Sequence, residues 1–475
     1  MPTSTAADAL TQYQWEPQPE AQALVNRLLA RARAACPQIE NLAGRMLDET
    51  ATRFQDWVDF IEVEDDAGIR DDLDRVGFEA AERPGAEQAF HHPGGIFPMM
   101  LLRRGGGADR VGLKVDSVAD FLHAWPVMLD PAATGRSAEV DATIEGGPGT
   151  TLRMARAFAG GGWELWAVER HGDRGFETRA TQPAFAAAWL RHAEAIYNRR
   201  RDFEDAADGF AHAMDLVDAA IGDLGRDAAC DLFFEGERRY WMRRNTAARV
   251  QYARQCRLGL GWANHDHHTY RSSREQFPRL VALLEKLGFY CRERFYAGAE
   301  AGWGAQVLEQ DETGIVIFAD VDMSPEEVTG DFAHAGFAPR EGDELGTVGL
   351  WVALHGEAAM QAGMHHLECM FDHHALVEQL QGESGIATMD PFTTFPYLRQ
   401  AFTEGERWIV PSHRLKPLLD RGTISREQAE LFATKGAVGS HLENLERNDG
   451  YKGFNQTGVS DIIARTDARK LAATS

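Results

Sequence analysis

The chain has 475 residues, of which 44% are hydrophobic and 9% are aromatic, so it can bury a substantial core. That length suggests about two or three domains or fused modules. Its 49 basic and 73 acidic residues give a formal net charge of -24, which opposes non-specific attraction to nucleic acid or anionic membrane. We therefore expect neither nucleic acid nor a membrane as partner, and the composition leaves homo-oligomer formation open.

The N-terminal stretch contains Glu16, Glu20 and Gln22, where a secretory signal would need an apolar run. No apolar run of about 18 residues, as a membrane-spanning helix requires, occurs in the sequence. We therefore expect a cytoplasmic protein. The cysteines are odd in number and form no CxxC pair, which favours free thiols over a zinc or redox motif; they are Cys36, Cys230, Cys256, Cys291 and Cys369.

The first part of the chain shows two patterns. Helical spacing of apolar residues from Ala21 to about Phe60 predicts a helical lead-in, to which we assign residues 1–107. Residues 108–180 follow the order strand, helix and three strand-like runs, beginning with a strand from Arg110 to Val115. This order, βαβββ, predicts one compact supersecondary unit, which is degenerate because its opening strand lacks His and Glu.

The second part repeats that order after a connector. Residues 181–257 are dense in Ala, Arg, Asp and Glu and predict connecting helices. From Trp262, within a region that we bound as 258–475, the βαβββ order returns, and a third copy begins at Met364. We therefore predict an α+β fold of repeated βαβββ modules with added helical segments, and place the catalytic metal-binding region in 258–475.

A histidine-rich strand opens that region. In the stretch Asn264–Arg271, strand alternation places His265, His267, Thr269 and Arg271 on one face and the intervening side chains on the other. A metal ligand and a cation able to bind a substrate can therefore share one surface.

Two later segments offer further ligands. His366 and Glu368 share a face of the next predicted strand, and Glu443 lies in a third strand-like run. Together with His267, the pair His366 and Glu443 gives two imidazoles and one carboxylate, which leave roughly half of an octahedral shell open, as a non-haem Fe(II) centre requires. The alternative is that these histidines are ordinary hydrogen-bonded strand residues and that Glu443 merely faces solvent.

The stretch from His267 to Val328 resembles the 2-oxoadipate dioxygenase/decarboxylase family of the vicinal oxygen chelate superfamily. The family's first ligand strand has a His, three residues and an Arg, followed by a helix that ends near Leu-Gly. The matching features in this sequence are His267-His268-Thr269-Tyr270-Arg271, Leu287-Gly288-Phe289, Phe295-Tyr296, Ile315-Val316-Ile317-Phe318-Ala319-Asp320 and Ser324-Pro325-Glu326-Glu327. Their order is the order of the family.

The C-terminal end is also similar to that family. The run Leu442–Arg447 followed by Gly453-Phe454-Asn455 resembles the strand that carries the ligand Glu and the segment that closes the site. It resembles 4-hydroxyphenylpyruvate dioxygenase as well, in which a His followed by a hydrophobic residue provides the middle ligand; His366-Leu367 reproduces this loosely. The resemblance covers about residues 265–470 and leaves the first half unmatched.

The resemblance implies a vicinal oxygen chelate-like fold with Fe(II) held by His267, His366 and Glu443. It implies an enzyme, a dioxygenase that binds a small 2-oxo acid together with O₂ and decarboxylates it oxidatively. Arg271 would bind the substrate's carboxylate with two parallel hydrogen bonds; otherwise it forms a surface salt bridge.

Two departures from the family pattern leave alternative ligands, and one further assignment concerns the closing segment. His265 competes with His267 as ligand, and Glu368 competes with or supplements Glu443. Phe454 and Asn455, near Gly450 and Gly453, would form a mobile closing segment that excludes water, although a glycine-rich surface turn fits equally well.

Two other functions fit the same scaffold. A metal-dependent isomerase or lyase would use Zn, Mn or Ni as a Lewis acid and Glu368 as a base, and would turn over without oxygen. A non-catalytic small-molecule-binding protein would hold a ligand without turnover.

Overall fold

The computed structural model describes residues 15–129, 143–297, 302–339, 344–393, 395–454 and 467–471. The chain begins there with two helices, α1 (Pro19–Ala35) and α2 (Pro37–Thr50). Each starts with a proline in its first turn, where the missing backbone N–H removes no helical hydrogen bond. Their apolar faces pack on the first of two sheets.

The first sheet has eight strands and contains two βαβββ units. In chain order its elements are β1 (Val58–Glu64), α3 (Ala67–Arg75), β2 (Glu79–Ala81), β3 (Ala89–His91), β4 (Met99–Arg103), β5 (Asp109–Lys114), α4 (Val118–Leu129), β6 (Ile144–Glu145), β7 (Leu152–Gly160) and β8 (Trp163–Arg170). The spatial order β2-β3-β4-β1-β5-β8-β7-β6 joins the units through an antiparallel β1–β5 pair.

This sheet differs from the helical lead-in predicted over residues 1–107. The two opening helices extend only to Thr50, and residues 58–103 form a complete βαβββ unit of their own. Because β2 and β3 have only three residues each, they carry too short an alternation to be recognised as strands.

Four helices follow the first sheet and connect it to the second. They are α5 (Pro183–Tyr197), α6 (Ala206–Leu224), α7 (Arg226–Met242) and α8 (Thr246–Arg257). The side chains of Asp205 and Asn245 cap α6 and α8 by accepting hydrogen bonds from first-turn backbone N–H groups. Apolar residues of these helices form one core with the second sheet.

The second sheet repeats the arrangement of the first. Its elements are β9 (His265–Arg271), α9 (Phe277–Lys286), β10 (Tyr290–Tyr296), β11 (Trp303–Gln310), β12 (Ile315–Asp322), α10 (Phe332–Ala335), α11 (Thr347–His355), β13 (His366–Met370), α12 (His373–Ser384), β14 (Leu398–Phe402), β15 (Glu406–Trp408), α13 (Ser412–Asp420), α14 (Arg426–Thr434) and β16 (Ala437–Arg447), with a last helix α15 (Ala468–Leu471). Its order is β10-β11-β12-β9-β13-β16-β14, and β15 pairs with β16.

The two sheets have the same plan at their centre. The antiparallel β9–β13 pair corresponds to the β1–β5 pair, and each central strand has a parallel neighbour: β12 beside β9 and β16 beside β13. The chain is therefore an α+β protein of repeated βαβββ modules with added helices, as the order of elements in the sequence predicted.

The second sheet has two different faces. On one, His268 and Tyr270 pack against Phe234 of α7, with ring centroids 5.4 and 6.3 Å apart, and we call this the helix face. The opposite face carries His267 and His366, and we call it the site face. Within the described residues, no helix is long and apolar enough to cross a membrane.

A partly buried histidine links the first sheet to the connecting helices. In His171, Nδ1 lies 2.9 Å from a carboxylate oxygen of Asp231 on α7, and Nε2 lies 3.2 Å from Glu169 on β8. Burial alone would lower its pKa, but the hydrogen bonds and charges of Asp231 and Glu169 raise the pKa of His171 to about 10.

This linkage makes a pH-dependent contribution to stability. Because the pKa of His171 rises from 6.5 to about 10 on folding, the contribution is complete below the unfolded pKa and is lost as pH rises through the folded one. We expect His171→Gln to lower the free energy of unfolding by about 2 kcal/mol near pH 6 and by less near pH 9.5. Denaturant unfolding at both pH values measures this, with His123→Gln, at an exposed position, as control. A pH-independent difference would contradict the assignment.

Candidate metal centre

The site face brings three potential ligands into one row. His267 on β9, Glu368 on β13 and Glu443 on β16 are directly opposite one another in the strand register. All three side chains are buried, and one ligand atom from each lies within 4.8 Å of the others. Strand pairing between distant segments thus assembles a cluster suited to a cation.

His366 joins this cluster from the next row. Two residues before Glu368 on β13, it points to the same side, as alternation requires. Its Nε2 contacts Oε1 of Glu368 and lies 3.6 Å from Oε2 of Glu443. The structure therefore brings together His267, His366 and Glu443, and it adds Glu368, which the sequence offered as an alternative ligand.

The protonation states in the cluster suit metal ligation. Burial lowers the pKa of His267 and of His366, so both imidazoles are neutral. Burial also raises the pKa of the adjacent Glu368 and Glu443 carboxyls, and the charge of Glu443 raises that of Glu368 further. Two buried carboxyls side by side share a proton unless a cation replaces it.

The contacts of the Glu368 carboxylate indicate whether the cluster can hold a metal. Its Oε1 accepts a hydrogen bond from Thr269 at 3.0 Å and lies 3.1 Å from Nε2 of His267. Its Oε2 is buried and has no hydrogen-bond partner among the described residues. A buried oxygen of this kind is costly unless something binds it, so the donor set present here fits a divalent metal.

Asp266 orients His267, contrary to strict strand alternation, which would put it on the helix face. The register between β9 and β13 shifts between Glu368 and Cys369, so that a bulge turns Asp266 toward His267. The Nδ1 of His267 lies 2.8 Å from Oδ1 of Asp266. If this nitrogen carries the proton, Nε2 directs its lone pair into the cluster.

Arg447 completes this arrangement from β16. Its Nε donates to Oδ2 of Asp266 at 2.8 Å and its Nη2 donates to Oδ1 at 3.0 Å, forming a buried two-point ion pair. The sequence gives no sign of this pair, because 181 residues separate the partners.

The same bulge removes His265 from the cluster. Its Nδ1 lies 2.9 Å from the carbonyl oxygen of Trp262, and its ring packs at 5.3 Å against His268, which belongs to the helix face. The structure therefore does not bring His265, the alternative to His267, to the candidate centre.

His441 is a member of the site that the sequence analysis did not select. It lies opposite His366 in the register, and its Nε2 is 3.1 Å from Nδ1 of His366. Burial lowers the pKa of His441 to about 3, so this ring is neutral. Alternation along the strand places His441 on the same face as Glu443, which is the signal that could have identified it.

Arg271 lies on the site face beyond this cluster. Its guanidinium is buried and stacks at 5.6 Å over Trp351. Its Nε has no hydrogen-bond partner in the described parts of the chain, and the Asp320 carboxylate is 3.8 Å away. Burial raises the pKa of Asp320 to about 7, while Arg271 opposes the shift. The chain therefore holds a buried cation whose pairing is incomplete.

Phe454 covers the cluster. Its ring centroid lies 4.9 Å from that of His267 and 4.5 Å from that of Phe318. Nη1 of Arg447 donates to the carbonyl oxygens of Tyr451 at 3.0 Å and Gly453 at 2.7 Å, which anchors the segment before Phe454. Asn455, the other residue assigned to the closing segment, lies outside the described residues.

The first sheet carries a different row at the corresponding place. Glu62, Arg110 and Glu164 are in register on β1, β5 and β8, on the face turned away from the lead-in helices. Arg110 lies 3.3 Å from Glu62 and 3.5 Å from Glu164. None of these three strands contains a histidine. An arginine thus occupies the position between two carboxylates where the second sheet can take a metal.

Fold and site together define a paired-module α+β protein with a buried His- and Glu-lined candidate metal centre. No protein-family model matches the chain, and no curated protein matches it. The chain has structural neighbours among solved proteins, and those described below have low sequence identity to it.

Three such neighbours show the range. A protein described as a glyoxalase superfamily member from Ralstonia eutropha JMP134 is 11% identical with a TM-score of 0.31, covering 58% of this chain and 99% of its own. A variant of 4-hydroxymandelate synthase from Streptomyces coelicolor is 12% identical with a TM-score of 0.24, covering 88% and 98%. Methylmalonyl-CoA epimerase from Mycobacterium tuberculosis is 13% identical with a TM-score of 0.22, covering 39% and 89%. At these scores the neighbours assign no activity to this chain.

The contact between Asp266 and His267 predicts a measurable effect on metal affinity. We expect Asp266→Asn to weaken Fe(II) or Co(II) binding by about 10- to 100-fold, because the ligand loses the carboxylate that fixes its orientation. Anaerobic titration against a competing chelator measures the change. Asp120→Asn, at an exposed helix position, is the control, and circular dichroism verifies that both variants are folded. Equal affinity in wild type and Asp266→Asn would show that the carboxylate does not support the ligand.

Proposed function

We propose that this protein is a non-haem Fe(II)-dependent dioxygenase that acts on a 2-oxo acid or a related small carboxylic acid, with oxidative decarboxylation. The observation that supports it is the meeting of His267, His366 and Glu443 from three adjacent strands on one buried face. The segments that carry His267 and Glu443 resemble the 2-oxoadipate dioxygenase/decarboxylase family, and this resemblance suggests the substrate class.

In this proposal His267, His366 and Glu443 hold the metal. Fe(II) bound by two imidazoles and one carboxylate supplies redox chemistry with positions open to substrate and O₂. His267 and His366 are neutral through burial, as ligation requires. Asp266 and His441 contact the ring nitrogens on the far side of these two ligands and hold the rings in place.

The chain's other residues bind the substrate and exclude water. Arg271 lies four residues beyond His267 on the same face of the strand, about 13 Å along it, and its charge lowers the pKa of His366. It binds the substrate's carboxylate, which completes the pairing that Asp320 leaves partial. Phe318 and Phe454 place apolar rings against His267 and keep bulk water from the reacting atoms.

One observation favours a second candidate, a metal-dependent isomerase or lyase. Glu368 lies within the ligand cluster and has a buried oxygen without a partner among the described residues. As a carboxylate beside a Lewis-acid metal, it is placed to take a proton from a bound substrate. That activity would need no oxygen.

Oxygen uptake tests the dioxygenase. After anaerobic reconstitution with Fe(II), we expect the protein to consume O₂ and release CO₂ with at least one member of a panel of 2-oxo acids. His366→Ala and Glu443→Ala should lower the rate by at least about 100-fold, since each removes a metal ligand. His374→Ala and Glu378→Ala, at exposed positions of α12, are matched controls. Tight metal binding without oxygen uptake on any substrate would refute the dioxygenase.

In the same series, Glu368→Gln separates the two candidates. If Glu368 only supplements the ligands, oxygen uptake persists in the variant at a reduced rate. If Glu368 is the base of an isomerase or lyase, turnover proceeds under argon in the wild type and is lost in Glu368→Gln. Metal content, measured in parallel, shows whether the variant still loads the metal.

Arg271 gives a prediction about substrate binding. We expect Arg271→Lys to lower kcat/KM for the carboxylate substrate by about 10- to 100-fold, mainly through KM, because lysine cannot form two parallel hydrogen bonds. Steady-state oxygen uptake measures this, with Arg257→Lys, at an exposed position, as control. An unchanged KM would assign Arg271 a structural role beside Asp320 and Trp351.

A further inference from the structure

A second group of metal-ligating side chains lies away from the candidate centre. It consists of Glu285 at the end of α9, Cys291 near the start of β10 and His334 in α10, with one ligand atom from each within 4.8 Å of the others. Gly288, at a φ of +96°, lies in the short turn between Glu285 and Cys291. This turn reverses the direction of the chain, so the Glu285 carboxylate and the Cys291 thiol lie close to each other. Both also lie close to the His334 imidazole, which belongs to a third element, α10.

The orientation of His334 is the feature that points to a metal. Its Nδ1 lies 2.8 Å from Oδ1 of Asp331, and its Nε2 lies 2.8 Å from Oε1 of Glu285. A carboxylate on the outer ring nitrogen is the arrangement that orients ligating histidines, with the inner nitrogen directed at the cation. Here the inner nitrogen is directed at Glu285, beside Cys291.

This group is independent of the candidate centre. Cys291 packs against the core that contains Leu280 and Leu284 of α9, which lies on the helix face of the sheet. The apolar cluster around Phe318, which includes Phe454, belongs to the site face. The two groups share no residue and lie on opposite sides of the sheet.

We propose that Glu285, Cys291 and His334 bind Zn²⁺ or a similar borderline-soft divalent cation, with Asp331 as the outer partner of His334. Sulfur, imidazole nitrogen and carboxylate oxygen together are the ligand types that Zn²⁺ takes in proteins, whereas Mg²⁺ and Ca²⁺ take oxygen only. Three protein ligands leave the fourth tetrahedral position to water, since Glu285 and His334 are partly exposed to solvent. The ion would join α9, β10 and α10 and so stabilise their packing, while its fourth position stays open to water.

Binding replaces protons. Without metal, hydrogen bonds to Glu285 and Asp331 raise the pKa of His334, and burial with the charges of Glu285 and Asp331 raises the pKa of Cys291 to about 11. The cation takes the place of the thiol proton of Cys291 and of the Nε2 proton of His334. We therefore expect affinity to rise with pH across the neutral range.

Cobalt substitution tests the site. When Co²⁺ is added to the full-length protein, we expect a thiolate-to-Co²⁺ charge-transfer band that is absent from Cys291→Ser and weakened at least about tenfold in His334→Ala at equal metal concentration. Excess Zn²⁺ should abolish the band and raise Tm by at least about 2 °C more in wild type than in Cys291→Ser, in which the candidate centre remains able to bind the ion. Cys256→Ser, which removes an exposed cysteine, should behave as wild type.

The thiolate band reports on this group alone, because the ligand cluster of the candidate centre contains no cysteine. The same titration on Glu443→Gln should therefore leave the band intact. A band of equal strength in Cys291→Ser, or no band in wild type at saturating Co²⁺, would overturn the zinc site. Neither result would bear on oxygen uptake, so failure of this proposal and failure of the dioxygenase proposal are distinguishable.

Discussion

The buried ion pair between Asp266 and Arg447 links the candidate ligand His267 to the segment that covers the candidate centre. Asp266 contacts His267 on one side and accepts two hydrogen bonds from Arg447 on the other. Arg447 also donates a hydrogen bond to the backbone that precedes Phe454. One guanidinium therefore links the orientation of His267 to the position of Phe454, whose ring covers it. Removing either partner would leave an uncompensated buried charge, which costs about 3–5 kcal/mol. Both side chains are almost fully buried. The orientation of His267 therefore depends on the pairing of β9, β13 and β16, which brings Asp266 and Arg447 together.

The paired-module plan explains why a site of this kind forms at the centre of a sheet. Where two βαβββ units meet through antiparallel strands, residues far apart in sequence become direct neighbours, as His267 and Glu368 do. The first sheet has the same plan, but there Arg110 lies between Glu62 and Glu164 and forms an ion pair with each. The topology thus creates a position that needs a positive charge, and side-chain identity decides whether an arginine or an external cation provides it.

The sequence was sufficient to predict the features that depend on local pattern. Alternation identified the shared face of His366 and Glu368, and the order of elements predicted the repeated modules of the second half. It could not predict the bulge beside Asp266, because a bulge depends on how β9 pairs with β13 and leaves no signature in the residues themselves. For the same reason strict alternation placed His265 beside His267, whereas the pairing turns His265 to the helix face.

Features that depend on short elements or on long-range contacts could not be predicted from the sequence either. The unit over residues 58–103 contains strands of three residues, whose alternation is too brief to distinguish from a loop. The partner of Arg447 lies 181 residues away, and no local pattern encodes that contact. His441 could have been identified from the sequence, since it shares a face of its strand with Glu443. Its role, however, follows only from its position opposite His366 in the register.

The charge balance on the site face follows from these contacts. Arg447 is fully engaged by Asp266, and Gln400 offers Glu443 a neutral donor at 3.0 Å. Within the parts of the chain that the structure describes, Glu368 and Glu443 are therefore left without a cationic side chain in contact, although both are buried. A shared proton lowers their mutual repulsion but still leaves one negative charge on the buried pair.

A divalent cation would bind the carboxylates of Glu368 and Glu443 together. Their two negative charges would neutralise it, so the positive charge of Arg271 would remain available to bind a substrate. Asp320 lies too far from Arg271 for a hydrogen bond, and burial favours its neutral form. Asp320 therefore balances the charge of Arg271 only in part, although Asp322 and Asp467 also act on it. A buried cation that is only partly paired favours a carboxylate ligand over a neutral one, which supports the proposed acid substrate.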